Sequence, residues 1–311
     1  MSYQSITVQP VAGSLGAEVS GVDLAAPLSN TAAAEIRRAF TENLVLFFRN
    51  QGLTPEQHLA FSGLFGRLCR MPYIKHMEDY PDIIAVLKEA DERKISTFGN
   101  AWHSDFSFLE EPPLGSILYA REVPSHGGDT LFANMYEAYD ALSEGMKRML
   151  LGLKAMHSGK PYGQGSLPKD LKTSRSIGIE RNNPEADRET AHPVVRLHPE
   201  SGRKALFVNA IYTTRFEDMS EAESRPLLDF LFAHVQRPEF ACRFRWAEGS
   251  LAVWDNRCTL HYAVNDYDGS RRLMHRTTVA GESPMAAEPA KSAPGEEENW
   301  SVTRGIVCER G

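Results

Sequence analysis

The residues best suited to chemistry are a histidine and a carboxylate two positions apart, His103 and Asp105. In extended backbone, residues i and i+2 face the same side, so a strand here would direct both side chains at one metal ion. His261, which follows an apolar stretch of the chain, can supply a third ligand. Two histidines with one carboxylate suit iron(II) and leave positions open for oxygen chemistry, although an isolated H-x-D triplet is also a common chance sequence.

A second group with chemical potential is a pair of arginines in the strand predicted over residues 271–278. The two-residue period of a strand places Arg272 and Arg276 on one face and His275 on the other. At roughly 3.3 Å per residue their Cα atoms would lie about 13 Å apart, far enough to hold two different carboxylates. One carboxylate could belong to a cosubstrate and the other to a substrate, whereas the alternative is a merely solvated basic face.

These groups need a scaffold, and the sequence predicts one that is mainly β with flanking helices. Capping residues and apolar spacing predict helices over residues 30–43, 56–65, 134–151 and 220–234. Apolar runs predict strands over residues 44–48, 83–87 and 240–246, and further strands through the second half. Residues 159–190 are polar and rich in glycine and proline, which is typical of either a mobile lid or a disordered loop.

The composition of the 311 residues argues against several classes of protein. A net charge of −7 with no long basic run does not favour nucleic-acid binding. No stretch approaches the ~20 apolar residues of a membrane helix and no secretory leader is evident, so we expect a cytoplasmic protein that does not bind membranes. The four cysteines lie far apart without a C-x-x-C pair, which disfavours a zinc site or a disulfide scaffold.

Taken in order along the chain, these residues resemble the taurine dioxygenase-like family of iron(II)- and 2-oxoglutarate-dependent dioxygenases. The resemblance rests on three segments: residues 16–23, residues 102–131 with the sequence G-G-D-T-L, and residues 254–278 with the sequence W-D-N-R. It covers nearly the whole chain up to about residue 284. The family fold is a double-stranded β-helix, a jelly-roll-like pair of sheets. The resemblance therefore implies a single domain over residues 1–284, followed by a flexible tail over residues 285–311 whose composition is linker-like.

The resemblance also implies a role for each candidate residue. His103, Asp105 and His261 correspond to the iron ligands, which are the catalytic centre, and Thr130 with Arg272 corresponds to the holders of the distal carboxylate of 2-oxoglutarate. The implied cofactors are iron(II), 2-oxoglutarate and molecular oxygen, and the implied products include succinate and carbon dioxide. Family members are commonly homo-oligomers, so we expect a dimer or a tetramer.

The substrate pocket departs from the taurine-specific pattern. Arg276 matches the arginine that binds the substrate anion, but Met71 stands where a sulfonate-binding histidine is expected. Phe106 adds bulk beside Asp105, Asn100 is a further cavity-lining candidate, and the aromatic residue expected shortly after residue 157 is missing. These differences favour a larger and less polar acid than taurine, such as an alkyl sulfate, another sulfonate or an aryloxyalkanoate.

Other outcomes on the same scaffold stay open at this point. Epimerisation or desaturation would begin with the same oxidant as hydroxylation, whereas halogenation is disfavoured because Asp105 retains the carboxylate ligand. The non-enzymatic alternative is a jelly-roll ligand-binding or sensor protein, since a fold does not determine a function.

Overall fold

The structure is a computed structural model that describes residues 2–93, 96–166 and 176–288. This part of the chain contains sixteen β-strands and five α-helices, which confirms the prediction of a mainly β protein with few helices. The strands are β1 Thr7–Pro10, β2 Ala17–Ser20, β3 Val45–Phe48, β4 Ile84–Lys88, β5 Gly115–Glu122, β6 Thr130–Asn134, β7 Lys154–Ser158, β8 Glu189–Pro193, β9 Val195–Leu197, β10 Lys204–Leu206, β11 Thr213–Phe216, β12 Ala241–Phe244, β13 Leu251–Asp255, β14 Thr259–Ala263, β15 Arg272–Val279 and β16 Met285–Ala286. The helices are α1 Asn30–Asn43, α2 Pro55–Ser62, α3 Met135–Asp140, α4 Glu144–Leu150 and α5 Glu221–His234.

The largest sheet has seven strands in the order β1-β2-β3-β13-β5-β15-β4. Its central strands β3 and β13 are buried along their whole length, which explains why their sequences are continuous apolar runs rather than alternating ones. Strand β15 pairs with β5 on one side and with β4 on the other, so its backbone is fixed on both edges. The strand that carries the two candidate arginines is therefore an inner strand of the main sheet.

Three smaller sheets complete the β structure, with the orders β12-β6-β14, β11-β7-β8 and β10-β9-β16. The first of them packs face to face against the large sheet. Phe47 of β3 stacks on Phe244 of β12 with ring centroids 4.0 Å apart, and Phe132 of β6 lies 5.7 Å from Trp254 of β13. Strands β14 and β15 thus belong to two opposed sheets whose side chains meet in the interior.

The helices begin where their capping residues predict, with one correction. Thr54 and Ser220 each form a capping box with a glutamine or glutamate three residues later, at the starts of α2 and α5. The single helix predicted over residues 134–151 is wrong, because the chain forms α3 and α4 instead. Ser143 is extended there and accepts a hydrogen bond from the Met146 amide, so a new helix starts within the apolar pattern.

The strand predictions are confirmed to within a few residues. In β12 and its flanks the alternation is as expected, with Cys242 and Phe244 buried and Arg243 exposed. Leu44 is not part of β3, since its φ of 67° ends helix α1. Beyond the predicted domain boundary at residue 284, β16 pairs with β9. The rest of the predicted tail, from residue 289, lies outside the described residues, as do residues 167–175 of the predicted loop, and the domain division stays a prediction.

None of the described helices is both long and apolar enough to cross a membrane.

Candidate active site

The three predicted metal-binding residues meet between the two opposed sheets. His261 lies on β14, and its backbone pairs with that of His103 through two hydrogen bonds of 3.1 and 2.8 Å. The H-x-D segment does not form the strand that the sequence predicted, because only His103 is paired and the chain then turns, with a φ of 45° at Phe106. The pairing with β14 brings the histidines together, and the turn brings Asp105 beside them.

The donor atoms of this triad are close enough to share one ion. Asp105 Oδ1 lies 3.7 Å from His103 Nε2 and 3.9 Å from His261 Nε2. Two donors that each lie about 2.1 Å from one metal ion can be at most about 4.2 Å apart, and both distances satisfy that limit. All three side chains are buried. The arrangement can therefore hold a divalent ion through two imidazoles and one carboxylate, a donor set that suits iron(II).

Hydrogen bonds from neighbouring residues fix the orientation of the triad. The Nδ1–H of His103 donates to the Ala101 carbonyl at 2.7 Å, which leaves Nε2 directed at Asp105. The Ser116 hydroxyl donates to Asp105 Oδ2 at 2.8 Å, so the two carboxylate oxygens have different partners. The Ser104 hydroxyl, between the two metal-binding residues, donates to the main-chain carbonyl oxygen of Asn256 at 2.7 Å. Ser116 could not be predicted from the sequence, because it is on a different strand and makes only this contact to the triad.

Burial and mutual charge set the protonation of the triad. Burial lowers the pKa of His261 to about 3, with the neighbouring His103 acting in the same direction, and burial also lowers the pKa of His103. Burial alone would raise the pKa of Asp105, but Arg276 and the two histidines hold it well below its usual range. The site therefore presents two neutral imidazoles and one carboxylate at neutral pH, which are the protonation states that metal binding requires.

Arg272 lies on β15 beside the triad and is 4 % exposed. It makes no hydrogen bond or ion pair with any of the described residues, and its Nε is buried without a partner. Its nearest aromatic neighbours are Trp246 and Tyr267, each 5.9 Å from the guanidinium carbon. A buried cation without a counterion is costly, so this environment fits an anionic ligand.

Thr130 faces the same space as Arg272. Its hydroxyl oxygen accepts a hydrogen bond from the Trp246 indole at 3.0 Å, which leaves the hydroxyl hydrogen available for a ligand. The preceding Gly128 has a φ of 70°, and a Cβ there would lie 3.3 Å from the Arg272 side chain. The G-G-D-T segment thus lets the backbone pass close to Arg272, and Thr130 with Arg272 can bind one carboxylate.

Arg276 lies four residues further along β15 on the same face as Arg272, next to the metal-binding triad. Its Nη1 donates to Asp105 Oδ1 at 3.1 Å, while Nε and Nη2 are buried without a partner among the described residues. The rings of Phe98 and Phe106 each lie 5.8 Å from its guanidinium carbon. Two directed N–H donors are therefore available to a second anion in an aromatic setting.

Two adjoining cavities connect these residues. The smaller one contains the two histidines, Thr130 and both arginines, together with Val86, Phe98, Gly99, Leu118, Trp254 and Ala263. The larger one encloses about 520 Å³ including its mouth, and its wall is shared with the smaller cavity at Phe98, Gly99 and His103. Its other lining residues are Thr97, Asn100, Ala101, Pro161, Tyr162, Ile179, Arg181, Ile211 and Tyr212. Asn100 thus lines the larger cavity, and His275 lines neither, as strand alternation predicts.

Two of the residues expected to contact substrate lie elsewhere. Met71 lines neither cavity, because it packs into the core with 5 % exposure. The nearby Tyr73, which has a φ of 66° at a turn, stacks on the cavity residue Tyr162 instead. Phe106 also lies behind the wall, where it stacks parallel to Tyr162 with ring centroids 6.0 Å apart. Its effect on a ligand is therefore through Arg276 and Tyr162.

Several cavity residues were missed by the sequence reasoning. The aromatic residue that the family pattern places shortly after residue 157 was described as missing, but Tyr162 lines the larger cavity, where it is buried and its hydroxyl lies 3.3 Å from that of Tyr212. Arg181 lines the same cavity from the segment that was predicted to be a loop. A loop prediction carries no orientation, so the sequence could not indicate that these side chains point inward.

A second cluster of potential metal donors, His198, Asp255 and Cys258, is structural. Arg257 donates to both carboxylate oxygens of Asp255, at 2.9 and 2.7 Å, and His198 approaches the same group at 3.1 Å. Because the carboxylate is already fully paired with a buried cation, a metal ion there would face strong repulsion. This network instead holds the W-D-N-R segment at the end of β13.

Comparison with known proteins supports the same interpretation of the site. The chain is 35 % identical over 284 residues to an alpha-ketoglutarate-dependent sulfate ester dioxygenase from Pseudomonas putida, covering 91 % of this chain and 92 % of that protein. It is 34 % identical over 293 residues to an alpha-ketoglutarate-dependent 2,4-dichlorophenoxyacetate dioxygenase from Cupriavidus pinatubonensis, covering 88 % and 98 %. A taurine dioxygenase structure from Burkholderia xenovorans superimposes with a TM-score of 0.76 at 34 % identity, covering 91 % of this chain and 93 % of that one.

The family assignment follows from the extent of these matches. The model of the taurine catabolism dioxygenase TauD, TfdA family matches residues 7–278, which include every residue of the metal triad and both buried arginines. The chain belongs to the taurine catabolism dioxygenase TauD, TfdA family.

Proposed function

We propose that this protein is an iron(II)- and 2-oxoglutarate-dependent dioxygenase that hydroxylates a small organic anion and releases succinate and carbon dioxide. The observation that carries the proposal is the position of two buried guanidinium groups with free donors beside a two-histidine, one-carboxylate triad. A triad of this type can bind the metal ion, and each arginine can bind one acid group. Oxidation of a substrate anion together with a cosubstrate anion needs the metal ion and both arginines.

Five residues of the site bind either the metal ion or the cosubstrate. His103, Asp105 and His261 hold iron(II) as the catalytic centre, and Arg272 with Thr130 holds the distal carboxylate of 2-oxoglutarate. When bound, iron(II) and 2-oxoglutarate supply the oxygen chemistry, in which one oxygen atom enters succinate and the other enters the substrate. The protein contributes ligation, orientation and the exclusion of water from a buried site.

The substrate is an acid larger and less polar than taurine, and Arg276 orients it. A charge-assisted pair with the free Nε and Nη2 donors would direct the carbon beside the acid group towards the metal. Phe106 and Tyr162 back this position, while Asn100 lines the route to it. For an alkyl sulfate, hydroxylation of the carbon that bears the sulfate oxygen gives an unstable hemiacetal sulfate, which breaks its C–O bond to release an aldehyde and hydrogen sulfate.

The overall reaction has the same balance whether the hydroxylated product is stable or, as for an alkyl sulfate, breaks down afterwards. Substrate, oxygen and 2-oxoglutarate give hydroxylated substrate, succinate and carbon dioxide, with 2-oxoglutarate as the two-electron donor.

We further propose that the opposed sheets form a double-stranded β-helix of the jelly-roll type within a single domain. A homo-oligomeric state and a cytoplasmic location stay predictions from the sequence.

Succinate formation by the purified protein tests this function. Iron(II), ascorbate, oxygen and 2-oxoglutarate are supplied with and without a panel of alkyl sulfates, sulfonates and aryloxyalkanoates. We expect one class of acid to stimulate succinate formation, His103→Ala to abolish it, and the exposed control His126→Ala to retain it. Failure of every acid to stimulate turnover in protein with bound iron would overturn the proposal in favour of a non-catalytic binding protein, and product analysis separates hydroxylation from epimerisation or desaturation.

A further inference from the structure

Arg181 is a cation at the larger cavity that the proposed function does not use. It reaches the cavity from the segment between two short 3₁₀ helices, at residues 160–162 and 184–187, and it is half-buried there. Its Nη1 donates to the Pro161 carbonyl at 2.7 Å, which anchors the side chain against the cavity wall. The remaining guanidinium donors are not used in a hydrogen bond to any described residue.

The electrostatic setting of Arg181 differs from that of its neighbours. Arg188 pairs with Glu185 at 3.3 Å, and Arg215 pairs with Glu189 at 2.6 Å. Arg181 forms no ion pair within the part of the chain that the structure describes. It is also the single cationic residue in the described lining of the larger cavity, whose other lining residues beyond the metal-binding His103 are uncharged. An anion in this cavity would therefore find its counterion at Arg181.

Tyr162 in the cavity wall, with Phe106 behind it, connects Arg181 to Arg276. Phe106 lies 5.8 Å from the Arg276 guanidinium and stacks parallel to Tyr162 at 6.0 Å, and Pro161, which anchors Arg181, precedes Tyr162. Burial raises the pKa of Tyr162, whereas Arg276 and Arg181 both act to lower it, so this phenol lies within electrostatic range of both cations. The distances of 5.8 and 6.0 Å allow up to about 12 Å between the Arg276 guanidinium and the Tyr162 ring, which is the scale of a substrate rather than of a single acid group.

We propose that Arg181 forms a second anion subsite at the outer end of the cavity and that the preferred substrate is a dianion. Such a substrate carries one acid group for Arg276 and a second acid group, a carboxylate or a sulfate, at the far end of an apolar chain or ring. The Tyr162 ring covers the apolar middle, and the Asn100 amide in the same cavity lining offers neutral hydrogen bonds. This inference rests on the proposed function and specifies the substrate class of the same site.

The test compares monoanions with dianions of equal length. The probes are alkyl sulfates from hexyl to decyl and the matching alkyl sulfates that carry a terminal carboxylate. A charge-assisted contact at a half-exposed site is worth about tenfold in kcat/KM, so we expect about that preference for dianions at the best chain length. Arg181→Gln should remove the preference mainly through KM, Arg181→Lys should restore part of it, and Arg188→Gln should leave it unchanged.

Binding is measured with the same probes by calorimetry, on protein loaded with iron(II) and 2-oxoglutarate without oxygen. This readout tests the subsite even where turnover is slow, and it separates the two proposals. Monoanion turnover without any dianion preference in either assay would overturn the second subsite and leave the dioxygenase assignment intact. An equal loss for monoanions and dianions in Arg181→Gln would also overturn it, since that pattern indicates a structural role. If dianions bind preferentially but no acid is turned over, the subsite stands and the dioxygenase function fails.

Discussion

Replacing Arg272 with methionine should weaken 2-oxoglutarate binding and at the same time stabilise the protein that has no 2-oxoglutarate bound. Both effects follow from the same observation. Arg272 is 4 % exposed and forms no hydrogen bond or ion pair with any described residue, and its burial lowers the pKa of the guanidinium more than the nearby Tyr267 and Asp129 raise it. Without 2-oxoglutarate the buried cation destabilises the folded protein, because its desolvation is not compensated. With 2-oxoglutarate bound, the same cation stabilises the complex through its ion pair with the carboxylate.

The magnitudes can be bounded from this environment. Replacing a buried ion pair by apolar side chains of similar volume is often neutral or stabilising by about 1–4 kcal/mol, and Arg272 without its ligand has no ion-pair attraction to lose. Removing one partner of a buried, hydrogen-bonded charge pair costs about 2–5 kcal/mol of binding, and about 3 kcal/mol corresponds to a loss of roughly a hundredfold in affinity. We therefore expect Arg272→Met to raise the free energy of unfolding by about 2 kcal/mol and to raise the Kd for 2-oxoglutarate about a hundredfold.

Urea unfolding with and without 2-oxoglutarate measures both effects in one experiment. A ligand at a hundred times its Kd stabilises the wild-type protein by about 2.7 kcal/mol, and this increment should fall to about 0.4 kcal/mol in Arg272→Met, because the same ligand concentration then equals the raised Kd. The control is Arg245→Met, an exposed arginine directly after β12, which should stay within about 0.5 kcal/mol of the wild type in both conditions. If Arg272→Met unfolded more easily than the wild type without ligand, the reasoning that this cation lacks an internal counterion would be refuted.

Three further predictions concern the metal, acid stability and the substrate. Ser116→Ala should lower the affinity for Mn(II) or iron(II) about tenfold without loss of secondary structure, because the hydroxyl orients Asp105, and titration under anaerobic conditions measures it. Burial holds the pKa of His58 and His157 at about 3 in the folded state against 6.5 in the unfolded chain. Their contribution to stability is complete above pH 6.5 and is lost as the pH falls towards 3, so the free energy of unfolding should drop by about 4 kcal/mol between pH 7.5 and pH 5 for the pair. Arg276→Gln should raise the KM for the substrate acid at least tenfold while the Kd for 2-oxoglutarate changes little, since the two arginines hold different acids.

Each of these has an outcome that contradicts it. Unchanged metal affinity in Ser116→Ala would mean that its hydrogen bond does not position the carboxylate, and Ser125→Ala, an exposed serine, is the matched control. A flat stability profile between pH 7.5 and pH 5 would show that the buried histidines do not stay neutral. A similar rise of both constants in Arg276→Gln would indicate that this arginine supports the fold of the site rather than the substrate.

The parts of the site that the sequence could predict are those that depend on period and spacing. Arg272 and Arg276 share a face of β15 because strand alternation is independent of tertiary context, and both line the smaller cavity. The apolar positions of β12 were predictable for the same reason. The helix over residues 134–151 was not, because an apolar pattern continues through the extended Ser143 that starts a second helix.

The residues that the sequence could not predict depend on contacts between distant segments. Ser116 reaches Asp105 only because β5 passes beneath the turn that follows His103. Tyr162 and Arg181 face the cavity through loop geometry, for which residue type gives no direction. Met71 lies in the core close to the turn at Tyr73, which has a positive φ, and a match of sequence position does not indicate which side chain near a turn faces the cavity. In each case the position of the side chain is determined by tertiary packing, which residue propensity does not predict.

The stoichiometry of turnover under oxygen-18 tests the central claim most directly. Succinate and consumed substrate acid are quantified together, and the oxygen-18 content of succinate is measured by mass spectrometry. The account predicts one succinate for each molecule of acid consumed, with one oxygen-18 atom in each succinate and no formation in Asp105→Ala. Consumption of the acid without labelled succinate would contradict the assignment of this chain as a 2-oxoglutarate-dependent dioxygenase.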